Sequence, residues 1–214
     1  MNDAGVSYTA IEIVEETPKV ATLKGSTGGQ SKGKKAAAKP VGKPTGFWSV
    51  TINSSEFSDC SIFKGAPISR LTIGNTAVTD LTPLIGLPLD QLRLYNTKVA
   101  DLRPLEGMAL TVLHVSGTPV ADISVVRGMP LTHVRLHACK ALTDVSPLAG
   151  AKDLTSLTLP PNAQNYEFLR DRSKIPKLER LGFEYDPKIF LPDKTVAEFW
   201  KDYDAKKRAE TKQP

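Results

Sequence analysis

Three histidines are the residues of this chain best suited to bind a metal ion, because a neutral imidazole is a common metal ligand. They are His114, His133 and His137. His133 and His137 are four residues apart, which is about 13 Å along an extended strand, whereas zinc ligands lie ~2 Å from the ion. These two side chains cannot share one metal. We therefore expect neither a metal site nor a cofactor.

Two cysteines, Cys60 and Cys139, could act as nucleophiles only if they were exposed and ionised. Both occupy slots of a sequence repeat that carry buried side chains, and about four repeats separate them, too far for a disulfide. The pattern also pairs no exposed serine with a histidine that a carboxylate would orient. The sequence therefore predicts that the protein is not an enzyme, and two reduced thiols favour the cytoplasm.

Aspartates recur along the chain at an almost constant interval, at Asp59, Asp80, Asp101, Asp122 and Asp144. Each precedes an apolar pair, often followed by proline, where a side-chain oxygen can cap a short helical turn. A catalytic carboxylate has no reason to recur at such an interval. We therefore expect these aspartates to cap turns rather than to transfer protons.

A repeat of 21 residues must position all these side chains, and its five units start at Phe47 and then at residues 68, 89, 110 and 131. The template is LxxLxLxxTxVxDLxPLxGxP, with further strands near Leu154 and Leu178. Each unit supplies a strand and a return turn, and its leucines become buried only when units stack. The sequence thus predicts an α/β solenoid of about seven strands. This would be a short leucine-rich repeat horseshoe with a parallel sheet on the concave face and short 3-10 turns or loops on the convex face.

Positions 3, 5 and 7 of each repeat should face solvent on the concave side of the sheet. Arginine and tyrosine are enriched at protein-binding hot spots; at these positions arginine recurs and tyrosine occurs once. We expect this face to bind a protein or peptide, acidic or phosphorylated, through Arg70, Gln91, Arg93, Tyr95, His114, His133, Arg135, His137 and Arg180. Position 9 carries Thr76, Thr97, Thr118 and Cys139, whose side chains should be buried and satisfy backbone groups of the turn.

The positive charge of the chain is concentrated outside the repeats. The net charge is +5, and residues 24–46 alone contribute +6, so the rest of the chain sums to −1. This segment has too few large apolar residues to fold and is predicted to be a disordered basic linker. It is either a soluble spacer or an electrostatic arm that binds nucleic acid, an acidic membrane or an acidic protein, with Lys32, Lys34 and Lys35 as its nucleic-acid contacts. No apolar stretch is long enough for a membrane span.

The two ends of the chain differ in how well they should fold. Residues 1–23 could form a strand or hairpin, but they offer little core, so we expect a poorly ordered segment or the stub of an upstream domain. The repeat domain is predicted to span residues 47–190, and residues 191–214 should form a capping helix and tail. Thr195 and Glu198 predict a capping box, and Phe199 and Trp200 should cover the last coil.

Several phrases resemble a known class of repeat. LTDLTPLIG, LTDVSPLAG, LPPNAQNYEFLR, LERLGFEYD and TVAEFWKDYDAKK, within residues 65–207, are similar to the C-terminal leucine-rich repeats of planctomycete-type bacterial serine/threonine protein kinases. No Gly-rich phosphate loop, VAIK-like lysine, HRD or DFG motif is present. The resemblance therefore implies a sensory or scaffolding domain and transfers no catalytic residue. The alternatives are a regulatory fragment of such a kinase, or a nucleic-acid-associated protein; in either case we expect a monomer.

Overall fold

The repeat units form one sheet in the computed structural model, which describes residues 11–16 and 47–211. The elements in these ranges are β1 (Ile11–Glu16), β2 (Phe47–Ile52), β3 (Ile68–Ile73), β4 (Gln91–Arg93), β5 (Val112–His114), β6 (His133–Arg135), β7 (Ser156–Thr158), β8 (Arg180–Gly182), β9 (Tyr185–Asp186), β10 (Leu191–Pro192) and the helix α1 (Val196–Glu210). Strands β2 to β8 are parallel and follow the order of the chain. The predicted seven-stranded parallel sheet is confirmed.

The strand β1 lies in the segment of residues 1–23, where the sequence allowed a strand or hairpin. It pairs antiparallel with β2, with Ile11 opposite Ile52 and Glu16 opposite Phe47. We expected residues 1–23 to form a poorly ordered segment or the stub of an upstream domain. Six of them complete the backbone hydrogen bonds at the edge of β2. The other residues of this segment, and the linker of residues 24–46 with Lys32, Lys34 and Lys35, lie outside the described residues.

A ladder of apolar side chains stacks the coils on one another. Position 4 of successive strands pairs in register. The first side chain at this position, Val50, is 3% exposed, and those that follow are at most 1% exposed: Leu71, Leu92, Leu113, Val134, Leu157 and Leu181. Because a single coil cannot bury such a side chain on both sides, neighbouring coils stabilise each other.

The recurring aspartates cap the turns on the convex face, as predicted. Asp80 Oδ1 accepts a hydrogen bond from the backbone N–H of Thr82 at 2.8 Å. The other aspartates likewise accept from the backbone N–H of the residue two positions later: Asp59, Asp101, Asp122 and Asp144. The bonds from Thr82 hold the pKa of Asp80 below its usual value. The 3-10 turns that follow these aspartates are Cys60–Phe63, Thr82–Leu84, Arg103–Leu105, Ser124–Val126 and Ser146–Gly150, and a further turn spans Glu167–Arg170.

The polar side chains at position 9 bond mainly to the backbone of their own coil. Thr76 Oγ1 donates to the Ile73 carbonyl oxygen at 3.3 Å, and Thr118 Oγ1 donates to that of Val115 at 2.6 Å. The Cys139 thiol reaches the same Val115 oxygen at 3.0 Å. Thr97 Oγ1 is buried and makes no hydrogen bond within the described residues. The predicted role is confirmed for Thr76, Thr118 and Cys139.

Asparagines form a second ladder, which the sequence analysis did not identify. Asn75 and Asn96 adopt φ angles of 54° and 55° at the turn that leaves the sheet. Asn96 Nδ2 donates to Asn75 Oδ1 at 2.9 Å, and Asn75 Nδ2 donates to Asn53 Oδ1 at 3.0 Å. Asparagine tolerates this left-handed conformation better than most residues, so it serves both the turn and the ladder.

The helix α1 covers the last coil. Thr195 Oγ1 accepts from the Glu198 backbone N–H, and the Glu198 carboxylate accepts from the Thr195 backbone N–H, which confirms the capping box. Phe199 and Trp200 are 5% and 8% exposed and join the leucine core. The predicted capping helix is therefore confirmed. No helix among the described residues is long and apolar enough to cross a lipid bilayer.

The open edge of β8 is covered by the chain itself. After β8, the chain forms the hairpin of β9 and β10, which pair antiparallel. It then returns along β8, where the Leu181 N–H donates to the Lys194 carbonyl oxygen at 3.1 Å and Arg180 forms an antiparallel bridge with Thr195. Both edges of the parallel sheet are thus closed by antiparallel segments, which leaves the concave face as its accessible surface.

Candidate binding site on the concave face

Three basic side chains form the central row of the concave face. The register of β4, β5 and β6 places Arg93 beside His114 and His114 beside Arg135. Since adjacent strands are ~4.8 Å apart, the two arginine Cα atoms are separated by about 10 Å. Their long side chains can therefore meet above the histidine between them.

His114 is largely buried in this row, which the alternation of the strand residues did not predict. Its residue surface is only 6% exposed. Burial, and then the positive charges of Arg135 and Arg93, lower the pKa of His114 to about 2. The imidazole is therefore neutral at physiological pH and adds no third charge to the row.

A second row, one residue pair further along the strands, holds Tyr95 and His137. The Tyr95 ring lies over Gly74, where an added Cβ atom would be 2.1 Å from the ring carbon Cζ. Ser116 Oγ lies 3.0 Å from His137 Nδ1, within hydrogen-bonding distance. The absence of a side chain at Gly74 thus allows Tyr95 to lie flat along the sheet.

The hairpin of β9 and β10 folds back over the C-terminal part of the concave face. The Tyr185 ring stacks on His137 with centroids 5.6 Å apart and planes 2° apart. Arg135 Cζ lies 4.0 Å from the centroid of the same Tyr185 ring. The Arg135 guanidinium also donates to the Phe190 carbonyl oxygen at 2.6 Å. One arginine therefore attaches both arms of the hairpin to the sheet.

The hairpin and the sheet together form a half-open pocket of about 560 Å³. We call it the concave pocket, and its lining residues are Thr72, Arg93, Tyr95, Asn96, His114, Ser116, Arg135, His137, Tyr185 and Phe190. It thus brings together five of the nine residues expected at the site. Because two arginines and three aromatic rings converge here, the pocket can bind an anion attached to an apolar or aromatic group.

The other four expected residues have different positions. The Arg180 guanidinium donates to the Pro192 carbonyl oxygen at 2.7 Å, so it anchors the hairpin instead of facing a partner. Gln91 Oε1 accepts from Arg93 at 3.0 Å and orients that side chain. Arg70 and His133 lie on the same sheet but do not line the concave pocket. The arrangement favours a compact site over one that spans the whole sheet.

Sequence reasoning missed the contribution of Tyr185 and Phe190, which it assigned to the end of the repeat domain. The available signal was the Asp186–Pro187 pair, a typical turn sequence. Asp186 Oδ1 accepts from the Lys188 backbone N–H at 2.8 Å and stabilises that turn. The pair predicts a turn, but it does not reveal which surface the turn will cover.

The described residues give no support for metal or thiol chemistry at this site. Residues 11–16 and 47–211 contain no group of three His, Cys, Asp or Glu side chains placed to hold a metal ion. Burial raises the pKa of Cys60 to about 12 and also raises that of Cys139. Both cysteines are free and buried, so neither is a thiolate near neutral pH. The cytoplasmic location inferred from them stays a prediction.

A second pocket, of about 500 Å³, lies beside the helix α1. Its walls include Tyr166, Phe183 and Phe199, together with charged residues of both signs. Lys194 and Asp202 form an ion pair of 2.8 Å there. Because its charges are at least partly compensated within the protein, this pocket has less capacity to attract a charged ligand than the concave pocket.

Comparison with solved structures supports the fold assignment. No protein-family model and no curated protein sequence matches the chain. The chain is similar to an internalin, InlF, from Listeria monocytogenes, with a TM-score of 0.50 and 26% identity over 60% of this chain and 40% of that one. Internalin C2 of the same organism gives a TM-score of 0.47 and 28% identity over 54% and 51%. The fold is a leucine-rich repeat solenoid. The chain spans only 40% of the InlF chain. The expected association with a kinase stays a prediction.

Proposed function

We propose that the protein is a non-catalytic interaction module whose concave face binds a protein or peptide with an acidic or phosphorylated surface. The observation that carries this proposal is the pair Arg93 and Arg135, which line one pocket to which no carboxylate of the described residues contributes. Guanidinium groups form bidentate hydrogen bonds with carboxylates and phosphates, so this pair favours an anionic partner.

The fold supports the same function in general terms. Stacked repeats produce an extended concave surface, and proteins of this architecture commonly use it to bind partners. Here the hairpin covers the end near β8, whereas Arg70 on β3 lies outside the concave pocket. A peptide lying across the strands could therefore run from β3 to the concave pocket and end at the hairpin.

The direct test is an array of acidic, phosphorylated and neutral peptides probed with purified protein. We expect wild-type protein to retain a subset of the anionic peptides and the double variant Arg93→Gln, Tyr95→Ala to lose them. Arg127→Gln is the matched control, because it removes an exposed arginine from the end of a convex turn. If the double variant retains the same peptides as wild type, the concave face is not the binding surface.

Two alternatives inferred from the sequence stay predictions. The nucleic-acid hypothesis depends on Lys32, Lys34 and Lys35, which lie outside the described residues. It predicts binding to DNA or RNA that weakens steeply with salt and disappears when residues 24–46 are deleted. The regulatory-fragment hypothesis predicts that the gene continues in frame into a kinase domain upstream, and the genomic sequence would test it.

A further inference from the structure

Two positive charges line the concave pocket, and the carboxylate that acts on one of them, Asp90 on Arg93, is not among the lining residues. Arg93 and Arg135 both line it, and no carboxylate is among its lining residues in the described part of the chain. Burial, followed by the charge of Arg135, lowers the pKa of Arg93. An arrangement that keeps two like charges together at some cost in stability is common where an anionic ligand completes the site.

Both guanidinium groups keep unused hydrogen-bond donors. Arg93 donates through Nη2 to Gln91 Oε1, and Arg135 donates through Nη2 to the Phe190 carbonyl oxygen. Arg135 also forms a side-chain hydrogen bond with Tyr185. Because an arginine carries five N–H donors, both groups keep donors for a ligand. The Tyr95, Asn96 and Ser116 side chains line the same pocket and can contribute further polar groups.

The two charges match a phosphate better than a carboxylate. A phosphomonoester carries a charge between −1.5 and −2 near pH 7 and has three acceptor oxygens, whereas a carboxylate carries one charge and two oxygens. Arg93 and Arg135 approach from two sides of His114. A carboxylate could neutralise one of these guanidinium groups, but a phosphate dianion can accept from both at once.

The walls of the pocket indicate what carries the phosphate. The volume of about 560 Å³ exceeds what an inorganic phosphate fills. Tyr185 and Phe190 of the hairpin form an aromatic wall, and Tyr95 lines the side of the sheet. A side chain attached to the phosphate would contact these rings and remove apolar area from water.

We propose that the concave pocket binds a phosphorylated side chain of the protein partner, with the phosphate between Arg93 and Arg135 and the carrier group against Tyr185 and Phe190. That the partner is a protein rests on the function proposed above. The anion site rests only on Arg93, Arg135 and the walls of the concave pocket.

Small probes test the anion site without knowledge of the partner. We would titrate purified protein with phenyl phosphate, inorganic phosphate and benzoate at pH 7.5 and constant ionic strength, using calorimetry. Phenyl phosphate should bind at least about tenfold more tightly than benzoate, because it offers the second charge and the third oxygen. Inorganic phosphate should bind more weakly than phenyl phosphate, because it lacks the ring.

Matched variants assign the binding to named residues. Arg93→Gln should weaken phenyl phosphate binding by about tenfold or more, since a charge-assisted hydrogen bond is lost. Arg127→Gln, the convex control, should leave it unchanged. Tyr185→Ala should weaken the binding of phenyl phosphate more than that of inorganic phosphate. Arg93→Lys keeps the charge but loses the two-pronged guanidinium, so it should weaken phenyl phosphate binding by an intermediate amount. It replaces Arg93→Gln as the test if that variant does not fold.

Two results would overturn the proposal: equal affinity for phenyl phosphate and benzoate, or equal loss of binding in Arg93→Gln and Arg127→Gln. The peptide array distinguishes the interaction function from the phosphate site. Retention of peptides regardless of phosphorylation would leave the interaction function intact and reject the phosphate site. Binding of phenyl phosphate by a protein that retains no peptide would support the phosphate site and reject the interaction function.

Discussion

Arg135 and Phe190 are joined by a hydrogen bond of 2.6 Å although 55 residues of chain separate them. The backbone at Phe190 has a φ of 56°, a left-handed conformation that a bulky residue seldom adopts. The Phe190 carbonyl oxygen points to the arginine on β6, while the Phe190 side chain is 66% exposed. The hairpin is therefore attached to the concave face by backbone and charge rather than by burial of its aromatic tip.

Removal of that attachment should loosen the hairpin without unfolding the solenoid. We expect Arg135→Ala to increase hydrogen exchange in residues 185–192, because the contacts with Tyr185 and Phe190 are lost together. The thermal midpoint should change little, since the leucine core is untouched. Arg127→Ala serves as control. Unchanged exchange in the hairpin would show that Arg180, β10 and the stacking of Tyr185 on His137 hold it without Arg135.

The free energy of unfolding should decrease as the pH is lowered below the ordinary pKa of histidine, and His114 should be the main cause. Its folded-state pKa of about 2 lies below the ordinary pKa of 6.5. Between these two pH values the imidazole is protonated in the unfolded chain but not in the folded chain. The histidine therefore contributes stability above pH 6.5 that is lost on acidification, at about 1.4 kcal/mol per pH unit. His133 and His137 have lowered pKa values as well and add to the trend.

The measurement is chemical denaturation between pH 6.5 and 4.5. The ordinary pKa of an aspartate is 3.8, and the pKa is lower still in the fold where the carboxylate is hydrogen-bonded in a turn, so the aspartates contribute little in this range. His114→Gln should flatten the dependence markedly, whereas His133→Gln should flatten it less. Identical slopes for wild type and His114→Gln would contradict burial of an uncharged His114.

A side chain at Gly74 should displace Tyr95. The added Cβ atom of Gly74→Ala would occupy the position of the ring, 2.1 Å from Cζ. Because Tyr95 is partly exposed and can swing outward, we expect a loss of about 1 kcal/mol in the free energy of unfolding, at the low end for overpacking. Peptide binding should weaken as well.

A double-mutant cycle isolates this contact. In a Tyr95→Ala background, Gly74→Ala should have almost no effect on unfolding, since no ring is left to clash. An equal cost in both backgrounds would attribute the loss to the backbone of β3 instead of the Tyr95 ring.

Truncation of Trp200 should destabilise the whole repeat domain. The indole is 8% exposed, packs with Phe199 and Tyr166, and lies under the Arg170 guanidinium, with Cζ 4.4 Å from its ring centroid. We expect Trp200→Ala to cost ~3 to 5 kcal/mol in the free energy of unfolding. Phe190→Ala removes an exposed aromatic ring and should cost far less. A melt with no shift for Trp200→Ala would exclude a capping role for the helix.

The sequence alone determined the features that repeat. The 21-residue interval places Leu71, Leu92 and Leu113 in register, because a coil can bury its leucine only against the same position of its neighbour. The turn-capping aspartates follow from the same interval, since their contacts reach only two residues along the chain. The capping box at Thr195 was predictable for the same reason: it is local and has a known spacing.

The concave site was predictable only in part. Alternation along the strands places Arg93, Tyr95 and Arg135 on the same face. The burial of His114 was not visible, because the exposure of a sheet residue depends on how the side chains of neighbouring strands cover it, and an alternating pattern says only which face it is on. Arg180 was assigned to the binding face for the same reason, although it lies under the returning chain.

Only the tertiary structure decided where the hairpin lies. Its contacts join Tyr185 to His137 and Phe190 to Arg135, across segments that no repeat relates to one another. A stacking rule fixes the neighbours of a coil, whereas a non-repeating segment selects its surface by the sum of its particular contacts. The hairpin thus turned an open sheet with a row of arginines into a half-open pocket, and the physical cause is long-range packing that no local pattern encodes.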